Sequence, residues 1–264
     1  WFFSASAAHA ESFAPCYKQA MEWSDSGIVL SAQRHGETSS LVMLFTAQHG
    51  RHAGLVRGGQ GRRARGLYQA GNRVSATWRA RLEEHLGNLR CELVHAAAAG
   101  LLDDALRLAA LSAVCAVVEA ALPERYPYPI LYEEFLRLAG KIENDAAWAE
   151  SYARFELTLL AELGFGLDLS ACAVSGQTTD LVYVSPRSGR AVSSEAGAEW
   201  REKLLPLPAF LLRSEAGAPS SEDVRAALNL TGWFLTGHVF AEANVPPARE
   251  RFLERLAQAG SAPG

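Results

Sequence analysis

The sequence has few cysteines, and none of them are spaced to form a metal site. Cys16, Cys91, Cys115 and Cys172 are separated by 75, 24 and 57 positions, so no CxxC pair exists to nucleate zinc binding. Four scattered cysteines predict reduced, half-buried thiols in a cytoplasmic chain, not a disulfide framework. No apolar run reaches the ~20 residues that a membrane-spanning helix requires. The longest, such as Ala109–Val118, are alanine-rich and predict buried helix. Gly-x-x-x-x-Gly-Lys-[Ser/Thr] is absent, and no Gly-x-Gly-x-x-Gly opens a helix after a strand. Neither Gly-x-Ser-x-Gly nor His-Glu-x-x-His occurs. Glu83-Glu84 and Asp103-Asp104 are adjacent pairs that diverge, not converging carboxylates. The expectation is a chain that is not an enzyme, with no catalytic residue and no cofactor. Trp1–Ala20 lacks a starting Met and a basic stretch ahead of its apolar part, so it does not resemble a signal peptide. Residues 1–20 are expected to be upstream or non-native sequence ahead of a start at Met21.

What the sequence has instead is arginine, concentrated in one place. Between Ser31 and Arg81 stand Arg34, Arg51, Arg57, Arg62, Arg63, Arg65, Arg73, Arg79 and Arg81, with no lysine and one acid, Glu37. That segment carries +8, whereas Leu101–Gly264 holds 14 basic and 22 acidic residues and carries −8. The overall net charge of −4 therefore conceals a dipolar molecule. Its basic end attracts phosphates and its acidic end does not.

The basic segment has strand character. Gly27–Leu30, Gln33–Glu37 and Ser40–Thr46 predict strands around a turn at His35-Gly36, and His49-Gly50 turns into a further strand, His52–Arg57. Gly58–Gly66 predicts a loop with four glycines and three arginines. In Arg73–Arg81, Val74, Ala76 and Trp78 alternate with Arg73, Ser75, Thr77 and Arg79, which gives one core face and one arginine face. Leu89–Leu93 closes the set. Five short strands with glycine turns fit a small barrel of the OB type. From Ala96 the pattern turns helical, with predicted helices at Ala96–Leu122, Ile130–Ile142 and Ala146–Leu163, and a stop at Gly164 and Gly166. One β-like run, Leu181–Ser185, precedes a last pair of helices, one from Pro219 through Phe240 and one over Pro246–Ala257.

Arginine suits phosphate because its planar fork donates two hydrogen bonds and stays charged. The nine arginines are therefore the expected DNA contacts. Tyr68 and Trp78 are the local aromatics available for base stacking, although Trp78 shares its face with Val74 and Ala76 and fits a core better. His35, His49 and His52 are close in sequence, and they fit surface histidines better than a metal site. On the acidic helices, Arg125, Arg137, Lys141 and Arg154 are isolated basic positions.

Met21-Glu22-Trp23, Arg34-His35-Gly36-Glu37-Thr38-Ser39, Gly54-Leu55-Val56-Arg57-Gly58-Gly59 and Tyr126-Pro127-Tyr128-Pro129 form an ordered set of short motifs. On these the chain resembles the RecO family of bacterial recombination mediators. The resemblance continues through Leu163-Gly164-Phe165-Gly166-Leu167-Asp168-Leu169 and Val184-Ser185-Pro186-Arg187-Ser188-Gly189, covering nearly all of Met21–Leu212. It implies an α+β multidomain chain: an OB barrel over 21–95, a helical domain over 96–168, a zinc-finger-like insertion over 169–198, and C-terminal helices over 199–264 packing on the helical domain. It also implies binding and annealing of single- and double-stranded DNA, and work with RecR. A further implied partner is the C-terminal tail of single-strand binding protein, with indirect action on RecA, in the cytoplasm at the nucleoid. The alternative is a generic OB-fold nucleic-acid binder or protein scaffold without mediator activity.

The sequence departs from the family at the insertion. Many members carry two CxxC pairs there, which fall on Cys172-Ala173-Val174-Ser175-Gly176 and Ser193-Ser194-Glu195-Ala196. One thiolate of four cannot hold tetrahedral zinc. The expectation is no bound zinc and an insertion held by packing around Leu181, Tyr183 and Val192.

Overall fold

The computed structural model describes residues 21–82, 84–212, 219–240 and 244–260; the expected upstream segment 1–20 lies outside them. Five strands form the N-terminal part: β1 (Met21–His35), β2 (Ser39–Thr46), β3 (Gly50–Val56), β4 (Arg73–Ala80) and β5 (Asn88–His95). They close in the order β1-β2-β3-β5-β4, an OB barrel. The first strand begins at Met21, six residues ahead of the apolar Gly27–Leu30 run, because Met21–Ile28 pairs antiparallel with β4 along its whole length. Between β3 and β4 the glycine-arginine segment is not a plain loop. Arg62–Leu67 forms a short helix, α1. Its Ala64 and Leu67, three apart and so on one helix face, pack on the barrel core.

Four consecutive buried residues, Gly27–Leu30, break the in-out alternation of an ordinary barrel strand. The reason is that β1 is covered on both sides. Val29 points into the barrel with Val42, Leu44, Val74, Ala76 and Trp78. Ile28 and Leu30, together with Phe45 of β2, belong instead to the core of the helical part. There the Phe45 ring meets Tyr132 at 5.4 Å and Phe135 at 6.4 Å. Helices therefore cover the β1–β2 side of the barrel, and the β3–α1–β5 side is left open.

The helical part comprises α2 (Ala97–Gly100), α3 (Ala105–Ala121), α4 (Pro129–Asn144), α5 (Trp148–Glu162), α6 (Ser194–Gly197), α7 (Ser221–Phe234) and α8 (Pro247–Gly260). The helix expected over Ala96–Leu122 is interrupted. A turn after Leu101 lets Asp104 cap α3, its carboxylate accepting from the amides of Leu106 and Arg107. The α3 helix is apolar almost all round because β1, α4 and α8 enclose it. The start predicted at Pro219 holds as a capping box, Ser220 and Asp223 each bonding the other's backbone amide. The α7 helix ends in a π-helical turn, Leu235–Val239. The segment between α5 and α7 adds a three-stranded sheet, β7-β6-β8, of β6 (Leu181–Val184), β7 (Ala191–Ser193) and β8 (Leu205–Pro206). Leu181 and Val192 are buried and Tyr183 is half-buried.

The barrel end nearest the helices holds the one clear correction among the histidines. His52 is not on the surface. It is 4% exposed and lies edge-on to Trp23 and Trp78, while His49 stacks on Trp23 and pairs with Asp25 at 3.1 Å. Burial holds the His52 imidazole below its ordinary value, against the opposing bond its Nδ1 donates to the Ala53 carbonyl. The unfolded chain then takes up this proton first as pH falls, so His52 costs stability below about pH 6.5. Thermal melts from about pH 7 to about pH 5 should show a fall in Tm that shrinks in His52→Gln. Equal pH slopes in the two proteins would contradict this origin.

Candidate nucleic-acid interface

The barrel is open where β3 and β5 separate. They share one parallel pair, Leu55 with Asn88, made possible because Gly54 lacks the Cβ that would sit 2.6 Å from that of Leu89. Beyond it, α1 and Tyr68 fill the gap, and a groove of about 1510 Å³ runs between α1 and β5. Its floor includes Leu55, Leu67, Leu89 and Leu93, and its rim carries Arg57, Arg63, Arg79 and Arg90. Two acids, Glu22 and Glu92, share the rim, and Glu22 pairs with Arg79 at 3.6 Å.

The expected arginines divide into groups. Arg57, Arg63 and Arg79 line the groove. Arg62 and Arg65, also on α1 but one face round, do not line it. Arg34 stands near the β1–β2 turn, and Arg81 just past β4. Arg73 begins β4, six residues and about 20 Å from Arg79 along the strand, so it is not part of the groove. Arg51 is committed elsewhere. Its Nε donates to the Leu122 carbonyl at 2.7 Å and its guanidinium pairs with Glu124 at 3.6 Å, which fastens the barrel to the helices. Arg90, outside the basic segment, is a groove residue the charge count did not reach; its signal is the Leu89-Arg90-Cys91-Glu92 alternation in β5. Arg34, Arg57, Arg62, Arg63, Arg65, Arg73, Arg81 and Arg90 are exposed, and their side chains make no ion pair or hydrogen bond among the described residues.

The two aromatics do not offer stacking faces. Trp78 is 1% exposed, its Nε1 donating to the Leu86 carbonyl at 2.9 Å. Tyr68 is 8% exposed. Burial, together with the adjacent Cys91, pushes the Tyr68 phenol well above its ordinary value. Burial likewise pushes the Cys91 thiol up to about 12, so neither group is ionised or reactive at neutral pH. What the groove presents is charge above an apolar floor.

A second concavity, about 430 Å³, lies between α4 and α5. Arg137, Lys141 and Arg154 surround it, with Leu138, Phe155 and Leu157 inside. Lys141 bonds Ser151 at 2.9 Å; Arg137 and Arg154 bond Glu134 and Glu150. The fourth isolated cation, Arg125, is not there. It bonds the His85 carbonyl at 3.1 Å beside the barrel.

In the segment between α5 and α7, Cys172 is buried and its Sγ accepts from the Ser175 amide, the Ser193 amide and the Ser193 hydroxyl at 3.3–3.5 Å. Burial raises the thiol's value, but these bonds outweigh it and bring it to about 6. Serines occupy positions where a zinc site needs thiolates. Among the described residues no three His, Cys, Asp or Glu side chains gather to hold a metal, so this donor set does not fit zinc. No helix among the described residues is long and apolar enough to cross a membrane.

Family models for the recombination protein O N terminal and C terminal match residues 21–97 and 102–244. The chain belongs to the RecO family. It is 53% identical over 243 residues to the DNA repair protein RecO of Rhodospirillum rubrum, covering 89% of this chain and 96% of that one. It is 54% identical over 248 residues to that of Rhodospirillum centenum, with 92% and 98% covered. The RecO of a Ruegeria species is 47% identical over 241 residues, with 90% and 99% covered. The family models divide the chain where the barrel hands over to helices.

Proposed function

We propose that this RecO-family chain binds single- and double-stranded DNA through its barrel and anneals complementary strands. With RecR, it helps load RecA onto strands coated by single-strand binding protein during recombinational repair. Residues 21–95 are the DNA-binding unit; 96–168 and 199–264 form the partner-facing unit, with 169–198 inserted between them. The observation that carries the reading is the set of exposed arginines around the α1–β5 groove, of which the Arg57, Arg63 and Arg90 side chains have no partner among the described residues. Arginines that outnumber the two rim acids, Glu22 and Glu92, are mutually repulsive, and a phosphate backbone relieves that repulsion. Arg34, Arg57, Arg62, Arg63, Arg65, Arg73, Arg79, Arg81 and the added Arg90 are the proposed contacts. Arg51 is left out because the helices occupy it. Work of this kind needs no covalent chemistry. The relatives are DNA repair proteins, which fits the same role at the nucleoid.

The α4–α5 cleft supports the partner assignment. A protein's C-terminal tail brings a free carboxylate and apolar side chains. Three cations around an apolar pocket suit both. The test is annealing of complementary strands, bare and coated with single-strand binding protein, by wild type and Lys141→Glu. Wild type should anneal both. The variant should anneal bare strands normally and lose about tenfold on coated ones, which corresponds to about 1.4 kcal/mol. No annealing by wild type leaves only a generic binder, and equal activity of the variant on coated strands removes the cleft from the account.

A further inference from the structure

We propose that α1 separates two strand sites, so that one chain holds two DNA strands at once, one in the groove and one on the outer face of α1. This rests on the DNA-binding reading above. The helical repeat of α1 sets the arrangement. Ala64 and Leu67 face the barrel core, Arg63 turns toward β5 and lines the groove, and Arg62 and Arg65, three apart, share a face that does not line it. The loop that leads into α1 is bonded to the β1–β2 turn. In the loop ahead of α1, the Gln60 amide donates to the Thr38 carbonyl at 3.2 Å, and its side chain donates to the Ser39 carbonyl at 2.9 Å. Gly59 lies against Ser40, whose strand partner is Arg34. Arg34, Arg62 and Arg65 thus form a second exposed set whose side chains have no partner among the described residues.

The spacing makes the arrangement useful for annealing. A helix with its side chains is about 10–12 Å across, comparable to the Debye length of about 8 Å at physiological salt. Two phosphate backbones on either side would repel through that gap, and the α1 arginines lie between them. Each site neutralises its own strand, and the strands stay close enough for bases to meet. Neither site stacks bases, since Trp78 and Tyr68 are buried, so bases on both strands remain free to pair.

The test is native mass spectrometry with non-complementary oligonucleotides of about ten nucleotides, short enough to occupy one site, paired with an annealing assay. Wild type should carry two oligonucleotides per chain. Arg62→Ala/Arg65→Ala should carry one and anneal about tenfold more slowly. Arg63→Ala/Arg90→Ala should weaken the first strand instead. One oligonucleotide per wild-type chain, or a double variant at Arg62 and Arg65 that anneals at the wild-type rate, would overturn the two-site arrangement while leaving groove binding standing. No oligonucleotide bound at low salt would overturn the DNA reading itself.

Discussion

Replacing Arg57, Arg63 and Arg90 together by alanine should weaken single-strand binding about a hundredfold at low salt. Each exposed guanidinium–phosphate contact contributes about 1 kcal/mol, and three of them make about two decades. The salt dependence discriminates better than the affinity. Each single-strand phosphate contact contributes about 0.7 to the slope of log K against log salt, so the triple variant should lose about 2 from it. The three side chains are exposed and unpaired, so their loss should leave Tm nearly unchanged. Arg251→Ala, on the exposed side of α8, is the control and should change neither affinity nor slope. A fluorescence anisotropy titration over a salt series reads all of this. A slope unchanged in the triple variant would remove the groove from the interface.

Glu156→Gln should produce the largest loss of stability of any single substitution considered. Glu156 on α5 is fully buried, and its two carboxylate oxygens accept from Arg249 Nε at 2.7 Å and Nη2 at 2.8 Å. Thr231 on α7 adds a third bond, and Arg249 also donates to the Leu228 carbonyl at 2.8 Å. One carboxylate thereby ties α5, α7 and α8 together inside the helical core. Neutralising it strands a buried guanidinium, which costs about 3–5 kcal/mol. In a chain of this size that is about 10 °C in Tm or more. Glu156→Leu combined with Arg249→Met should recover most of the loss, because the penalty comes from the unpaired charge and not from the missing pair. Thermal melts of the three proteins decide it; a double variant as unstable as Glu156→Gln would mean the ion pair itself holds the helices.

The barrel was legible because its signals are local. The Val74-Ala76-Trp78 alternation, the His35-Gly36 and His49-Gly50 turns and the arginine density each sit within a few residues. Most of the misses are non-local. Arg51 reads as an outward strand residue, and it is outward; what the strand pattern cannot say is that the helices cover that side. Four buried residues in a row at Gly27–Leu30 are the trace of that coverage. The α1 helix was hidden by glycines and arginines that mimic a loop, although Ala64 and Leu67 keep helical spacing. His52 sits three residues from His49 but is packed between tryptophans contributed by β1 and β4. The Glu156–Arg249 pair, 93 positions apart, leaves no mark in sequence. Nor does Gly232, where a Cβ would stand 2.8 Å from the Arg249 guanidinium. The family resemblance implies the partners, whereas the arginine density marks a basic face; Arg51 within it is bonded to the Leu122 carbonyl and Glu124, and Arg90 outside it lines the groove.

Backbone amide hydrogen exchange with and without a short single-stranded oligonucleotide most directly tests whether the α1–β5 groove holds the DNA backbone. The account predicts slowed exchange over residues 57–68 and 88–93 on binding, with α3 and α8 unchanged. Protection confined to the helices, with the barrel exchanging as in the free protein, would contradict it.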